Sequence, residues 1–188
     1  TGKTALGFQT ILNATANFRP SIGTNLQSRM YNISPTVYVR IPFVVPDPAK
    51  IDHLTLQMRH DDGFVAWLNG AEAASDHAPF ALDWTTTSTE DRPDIEAMSF
   101  LDFNLDSDRG VLRPGTNYLA IQGLNSARTN NSFLLLPRLV ATREVTATNV
   151  LRYFTKPTPG SDNGAGTAVL GPILQRSEEH TSELQSQF

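Results

Sequence analysis

Residues 60–70 read HDDGFVAWLNG, a short run of aromatic and aliphatic side chains enclosed by two turn signals. Asp62 and Gly63 predict a tight reversal of the chain. Residues 64–68 predict a strand, because aromatic, aliphatic and β-branched side chains favour the extended conformation. The Asn-Gly pair at 69–70 is the strongest short hairpin signal known. This segment therefore predicts a fold built from β-hairpins.

The same pattern recurs along the chain, whereas helical periodicity is scarce. Short runs of alternating apolar and polar residues lie between Gly, Pro, Asn and Asp, which is typical of an all-β sandwich. We therefore predict one all-β domain over residues 1–155. Besides 64–68, its predicted strands are 36–43, 54–59, 71–74, 100–105, 118–124, 133–136 with an extension at 139–142, and 150–154.

The connections between these strands carry their own signals. Residues 75–93 are rich in Thr, Asp and Pro and predict a long irregular connection, a kind of loop that is often functional. Residues 106–113 predict a short polar link with about one helical turn. Pro114 and Gly115 fit the central positions of a type II turn.

Composition excludes several classes of protein. The chain has 188 residues, 39% of them hydrophobic, which is enough for one sizeable core. Its net charge of −4 argues against nucleic acid as a partner. Absence of cysteine excludes disulfides and thiolate metal sites. No apolar run approaches the ~18 residues of a membrane span, so we predict no membrane insertion.

The two ends of the chain suggest a fragment. The first residue is Thr1, and residues 156–175 contain a Pro- and Gly-rich stretch that predicts a linker into a missing neighbouring domain. Residues 176–188 resemble a translated sequencing adapter. We expect them to be an artefact, and we expect the parent protein to continue beyond residue 175.

Six segments spread along the chain carry a family pattern: RIPF at 40–43, DDGFVAWLNG at 61–70, LRPGTNYLAI at 112–121, GLN at 123–125, LLPRL at 135–139 and YFTKPTPG at 153–160. Together they resemble the galactose-binding-like jelly-roll modules of large exported bacterial proteins, which occur beside lamin-tail or spore-coat-kinase-like domains. The resemblance implies a two-sheet jelly-roll sandwich that is secreted or displayed on the cell surface. It also implies neighbouring domains of the same chain as partners, and the adapter-like end implies a metagenomic source.

The paired aspartates also resemble a motif of sugar-binding domains of the protective-antigen and flocculin type. In that family two such carboxylates hold calcium, which implies Asp61 and Asp62 as calcium ligands here. Calcium takes six to eight oxygens, so further ligands would have to come from elsewhere, for instance the polar loop at 125–131. The simpler alternative is that Asp62 and Gly63 only form a hairpin turn, and that the chain has no cofactor.

Other candidate ligand-binding residues are amphipathic or planar polar side chains placed near predicted loops. An exposed tryptophan stacks on a sugar ring, and amide and guanidinium groups hydrogen-bond sugar hydroxyls. Trp67 is a weaker candidate, because its strand alternates with buried positions and we expect its outer face to be covered. The candidates are Trp84, Arg59, Arg128, Asn125, Asn130 and Asn131.

The sequence predicts no catalytic residues. The histidines at 53, 60 and 77 have neither zinc-site nor nucleophile-elbow spacing. The acidic run at 90–96 is interpreted as a solvated loop. The Gly-Lys-Thr at 2–4 mimics the end of a phosphate-binding loop, but no strand precedes it and no βα alternation comes after it.

These observations predict a non-catalytic extracellular accessory module that binds carbohydrate or a surface glycan. Two alternatives stay open. The domain is a structural spacer or protein-interaction module without a small-molecule ligand, or it is an accessory domain docked on a glycoside hydrolase. Burial of Trp67 and Trp84 together would favour the spacer.

Overall fold

A computed structural model describes residues 5–11, 16–144, 153–154, 159–161 and 166. The chain divides into two compact units, Thr1–Glu144 and Val145–Phe188. The described part of the first unit contains the strands β1 Ala5–Gln9, β2 Ile22–Asn25, β3 Thr36–Val45, β4 His53–Asp61, β5 Gly63–Leu68, β6 Ala71–Asp76, β7 Leu101–Asn104, β8 Gly115–Leu124 and β9 Ser132–Thr142. Its helical segments are α1 Gln27–Met30 and the 3-10 turns Arg19–Ser21, Pro48–Lys50, Glu96–Met98 and Asp106–Val111.

The strands form two sheets, which confirms the predicted all-β sandwich. The five-stranded sheet has the order β2-β1-β9-β4-β7, and the four-stranded sheet has the order β3-β8-β5-β6. All neighbouring strands run antiparallel except β1 and β2. Among the described residues, no helix is long and apolar enough to cross a membrane.

One main core contains inward-facing side chains of both sheets. Phe64, Ala66 and Leu68 of β5 are fully buried, as the alternation predicts, and they belong to the same core as Leu56 and Met58 of β4. Burying a leucine, methionine or phenylalanine side chain contributes about 1.5–3 kcal/mol to stability. The outward-facing residues of β5 behave differently from each other: Val65 is buried, whereas Trp67 is only half-buried.

The DDG sequence does not form a hairpin, which corrects the predicted turn. β4 ends at Asp61 in one sheet and β5 begins at Gly63 in the other, so the chain crosses between the sheets here. Only glycine fits at position 63, because a Cβ there would lie 2.6 Å from the backbone oxygen of His77. The predicted hairpin at 69–70 is confirmed, with φ angles of 51° for Asn69 and 93° for Gly70.

The first two strands were not predicted from the sequence. β1, with the sequence ALGFQ, lacks β-branched side chains and owes its conformation to pairing with both β2 and β9. β2 is a short edge strand with a mostly exposed side-chain pattern. The predicted strand at 150–154 falls on residues of which only 153–154 are described. The predicted linker and adapter-like end lie almost wholly outside the described residues, so these stay predictions.

Candidate functional site

A polar cluster lies where β4 passes to β5, and we call it the Asp61–Asp62 site. It is formed by these two aspartates together with residues of two loops, 88–94 and 125–131. Backbone hydrogen bonds hold the loops in place: the Ser88 amide donates to the Asn125 carbonyl at 3.0 Å, and the Thr89 amide donates to the His77 carbonyl at 2.9 Å. The crossover between sheets therefore brings both loops onto the paired carboxylates.

Asp61 is fully buried, and among the described residues neither oxygen of its carboxyl group accepts a hydrogen bond of good geometry. Burial raises the pKa of Asp61 well above its usual range, the Asp62 carboxyl and the charge of Asp94 raise it further, and the nearby Ser132 hydroxyl lowers it. The ionised form is disfavoured here, because it loses its hydration without full compensation. This carboxyl group is the feature of the site that the protein itself leaves unsatisfied.

Asp62 is also fully buried, but its carboxylate is well supplied with donors. Oδ1 accepts a hydrogen bond from the Arg92 amide at 2.9 Å, and Oδ2 accepts one from the Ser126 amide at 2.6 Å. Burial raises the pKa of Asp62, and hydrogen bonds, including those two, lower it. Asp62 thus fastens both loops to the end of β4.

Three oxygens converge on the side-chain nitrogen of Asn130. Nδ2 lies 3.2 Å from Asp62 Oδ2, 2.8 Å from Asp91 Oδ1 and 2.6 Å from Ser126 Oγ. An amide nitrogen has only two hydrogens to donate, so it cannot serve all three oxygens equally. The arrangement is an oxygen-rich position with two carboxylates around it.

Two buried side chains, those of His60 and Arg92, lie beside the Asp61–Asp62 site. Arg92 Nη1 donates to the His60 carbonyl at 2.6 Å. The His60 ring is fully buried, with Nδ1 2.8 Å from the Asp62 carbonyl and Nε2 3.2 Å from Asp76 Oδ2. Burial is the main cause that lowers the pKa of His60 to about 4. This ring is therefore neutral in the folded protein at neutral pH.

Trp84 stands apart from the Asp61–Asp62 site, on the long loop between β6 and β7. Its side chain is 72% exposed. The residues beside it are held on the four-stranded sheet: Gln122 Nε2 donates to the Asp83 carbonyl at 2.8 Å, and Thr36 Oγ1 donates to the Thr86 carbonyl at 2.7 Å. The exposed indole is thus presented by a fixed backbone.

The other predicted ligand-binding residues are dispersed. Asn125 is buried, and its side chain donates to the Ser132 carbonyl at 3.1 Å, a structural role. Arg59 donates to the Ala97 carbonyl at 2.7 Å. Arg128 and Asn131 belong to the loop, but the contacts that place them use their backbone carbonyls. Only Asn130 among the six candidates joins the paired aspartates.

Arg92, Asp91, Asp94 and Ser126 were not predicted from the sequence as site residues. The acidic run was interpreted as solvated, and Asp91 is indeed exposed, yet it bonds Ser126 and Asn130 across the site. Asp94 accepts a hydrogen bond from the buried Gln9 at 2.9 Å. A signal was present in the sequence, because an arginine within an acidic run next to proline is suited to an ordered, internally bonded loop.

The donor set can be tested for its fit to calcium. Within the described part of the chain, no three His, Cys, Asp or Glu side chains form a ready metal-binding group. The oxygens of Asp61, Asp62, Asp91 and Ser126 are nevertheless hard ligands of the kind that calcium prefers. The Asp61 carboxyl lies beside that of Asp62, and its two buried oxygens accept no well-aligned hydrogen bond from a described residue, an arrangement compatible with a hard cation.

No protein-family model matches the chain, and no curated protein matches it. Solved structures resemble parts of it at low scores. An α-L-rhamnosidase from Streptomyces avermitilis, complexed with L-rhamnose, is 20% identical over 58% of this chain, with a TM-score of 0.41. A β-D-mannosidase from Dictyoglomus thermophilum is 19% identical over 48%, with a TM-score of 0.32. Each match spans only 9% of the enzyme, and at these scores it assigns neither activity nor ligand.

Proposed function

We propose that this domain is a non-catalytic carbohydrate-binding module that holds a calcium ion at the Asp61–Asp62 site. The observation that carries the proposal is the fully buried Asp61 carboxyl group, for which the described residues supply no well-aligned hydrogen-bond donor, although the Ser132 hydroxyl lies near it. The proposal includes a secreted or cell-surface location, and neighbouring domains of the same protein as partners.

A bound cation resolves the electrostatic problem at Asp61. Two adjacent buried carboxylates repel each other, and a divalent ion between them offsets both the repulsion and the lost hydration. Asp61 and Asp62 would hold the ion, with Asp91 and Ser126 supplying oxygens from the two loops. When bound, calcium supplies a positive charge to which vicinal sugar hydroxyls can coordinate.

Trp84 supports the carbohydrate part of the proposal. Its indole is 72% exposed, and the backbone on both sides is fixed by Gln122 and Thr36. A ring carried on a fixed backbone loses less entropy when a ligand stacks on it than one on a mobile loop. Burial of both Trp67 and Trp84 would favour the spacer alternative, and the exposed indole of Trp84 does not supply that support.

The non-catalytic assignment is part of the same proposal. General acid–base catalysis needs a carboxyl group that can exchange protons with a substrate. Here Asp62 has its oxygens bonded to Arg92, Ser126 and Asn130, which suits a positioning role. The buried Asp61 suits a metal ligand, so the pair supports binding rather than proton transfer.

Calcium titration by calorimetry, with thermal unfolding in calcium and in chelator, tests the metal. We expect the wild type to bind calcium and to unfold at a higher temperature in its presence. Asp61→Asn should lose both effects, whereas Asp102→Asn, at an exposed position on β7, should retain them. No binding heat and identical unfolding curves in the wild type would refute the metal site.

Glycan-array and polysaccharide pull-down measurements test the carbohydrate. We expect wild-type protein to bind in calcium and to bind less strongly in chelator. Retention by no glycan under either condition would refute carbohydrate binding. A calcium-binding domain that retains no glycan would instead fit the spacer alternative.

A further inference from the structure

The outer face of the four-stranded sheet carries a line of exposed aromatic side chains, which we call the aromatic strip. It consists of Trp84, Tyr38, Arg40 and Tyr118. Tyr38 and Tyr118 are 61% and 41% exposed, large fractions for rings on a sheet. Isolated exposed apolar residues are common, but an aligned set presented by rigid backbone indicates a binding surface.

Strand register places these side chains in order. On the outer face Tyr38 of β3 lies opposite Gln122 of β8, and Pro42 lies opposite Tyr118. Since Gln122 also holds the carbonyl of Asp83, Trp84 lies at the Tyr38 end. The strip therefore runs along two paired strands, and its Trp84 end is continuous with the loop that reaches the Asp61–Asp62 site.

Arg40 gives the strip its charge. Its guanidinium carbon lies 4.8 Å from the centre of the Tyr118 ring, so the cation is stacked on one of the exposed aromatics. No carboxylate among the described residues lies within ion-pair distance of it. A guanidinium that is held in place and has no anionic partner in this part of the chain is prepared for a carboxylate from outside.

We propose that the aromatic strip binds an extended polysaccharide chain whose sugars carry carboxylate groups, a polyuronate. This inference rests on the proposed function and names its ligand class. The tyrosine and tryptophan rings stack on separate sugars along the chain, and Arg40 pairs with a uronate carboxylate. A line of rings along two strands suits a chain, whereas a single terminal sugar needs only one of them.

The probes are polygalacturonate and the same polymer after carboxyl reduction, compared by affinity electrophoresis in chelator. Chelator removes the contribution of the Asp61–Asp62 site, and of calcium bound to the polymer itself. We expect wild type to be retarded by polygalacturonate and at least about tenfold less by the reduced polymer, as for loss of a charged hydrogen-bonded pair. Equal retardation by both polymers would overturn the acidic ligand class.

Variants separate the strip from the proposed calcium site. Arg40→Gln and Tyr38→Ala should each weaken binding about tenfold, and Arg40→Lys should restore part of it. Leu101→Ala is the control, because Leu101 is an exposed apolar residue of β7 and belongs to the other sheet. If Asp61→Asn abolishes glycan binding in calcium while Arg40→Gln and Tyr38→Ala bind like wild type, the proposed function stands and this inference fails.

Discussion

Each end of β5 adjoins a cluster of polar side chains with at least one buried member, and the two clusters differ in how well their hydrogen bonds are satisfied. At the far end, Asn117 is fully buried and each polar atom of its side chain has a partner. Its Oδ1 accepts from the Arg113 amide at 2.9 Å and from Asn69 at 2.7 Å. Its Nδ2 donates to the carbonyls of Arg113 at 2.8 Å and Gly115 at 3.0 Å.

At the near end, Asp61 is equally buried, but neither carboxyl oxygen accepts a well-aligned hydrogen bond from a described residue. A satisfied network fixes a turn and needs nothing further. A buried polar group without its hydrogen bonds needs a separate explanation. Burial of polar side chains alone therefore does not distinguish the two ends of β5, whereas the number of unmet hydrogen bonds does.

The largest expected effect is at the satisfied end. Asn117→Ala removes the four hydrogen bonds of this side chain and leaves buried backbone groups unpaired, so we expect a loss of about 4 kcal/mol in the free energy of unfolding. Urea unfolding measures it. Because this end needs no ligand, the loss should be the same in calcium and in chelator. A loss that depends on calcium would break the distinction between the ends.

The buried histidine at the near end gives the next largest effect, through pH. The pKa of His60 falls from 6.5 to about 4 on folding, so below pH 6.5 the unfolded chain binds a proton that the folded one does not. Stability is therefore lost on acidification, by about 2 kcal/mol at pH 5. Raised pKa values at Asp61 and Asp62 act in the opposite direction, so the wild type must be compared with a variant.

His60→Gln should remove this dependence, and the difference between the two pH profiles from 6.5 to 5 isolates the histidine. His53→Gln is the control. Hydrogen bonds with Asp106 and Glu144 raise the pKa of the exposed His53, so its removal should act with the opposite sign. Parallel profiles for wild type and His60→Gln would contradict a neutral, buried ring.

Asp61→Asn comes third and sharpens the comparison most. The pKa of Asp61 is raised in the folded state, so its stability cost is absent at low pH and grows as pH rises above the unfolded value of 3.8. In chelator at pH 7 the variant should be more stable than wild type. In calcium the order should reverse. If the variant is more stable than wild type both in chelator and in calcium, the result contradicts a bound ion at this end.

The sequence predicted the satisfied end better than the unsatisfied one. Asn69 and Gly70 form the predicted hairpin, because a turn with two positive φ angles depends on local residues alone. The partners of Asp62, such as Arg92 and Ser126, come from loops 30 and 64 residues away along the chain. These contacts depend on the crossover of the chain between the two sheets, which local sequence patterns do not specify. For the same reason, the hairpin predicted at the DDG segment was wrong.

Trp84→Ala should have the smallest effect on stability and a large one on binding. The indole is 72% exposed, and the bonds that hold its loop come from Gln122 and Thr36, so truncation should change the free energy of unfolding by less than about 0.5 kcal/mol. Loss of a stacking ring should still weaken glycan binding about tenfold, measured by affinity electrophoresis.

Gln122→Ala should be compared with Trp84→Ala. It keeps the indole but removes the hydrogen bond that fixes the backbone at Asp83, next to Trp84. If its binding is weakened as much as that of Trp84→Ala, the fixed position of the ring matters as much as the ring itself. Unchanged glycan binding in both variants would show that Trp84 does not belong to the glycan-binding surface.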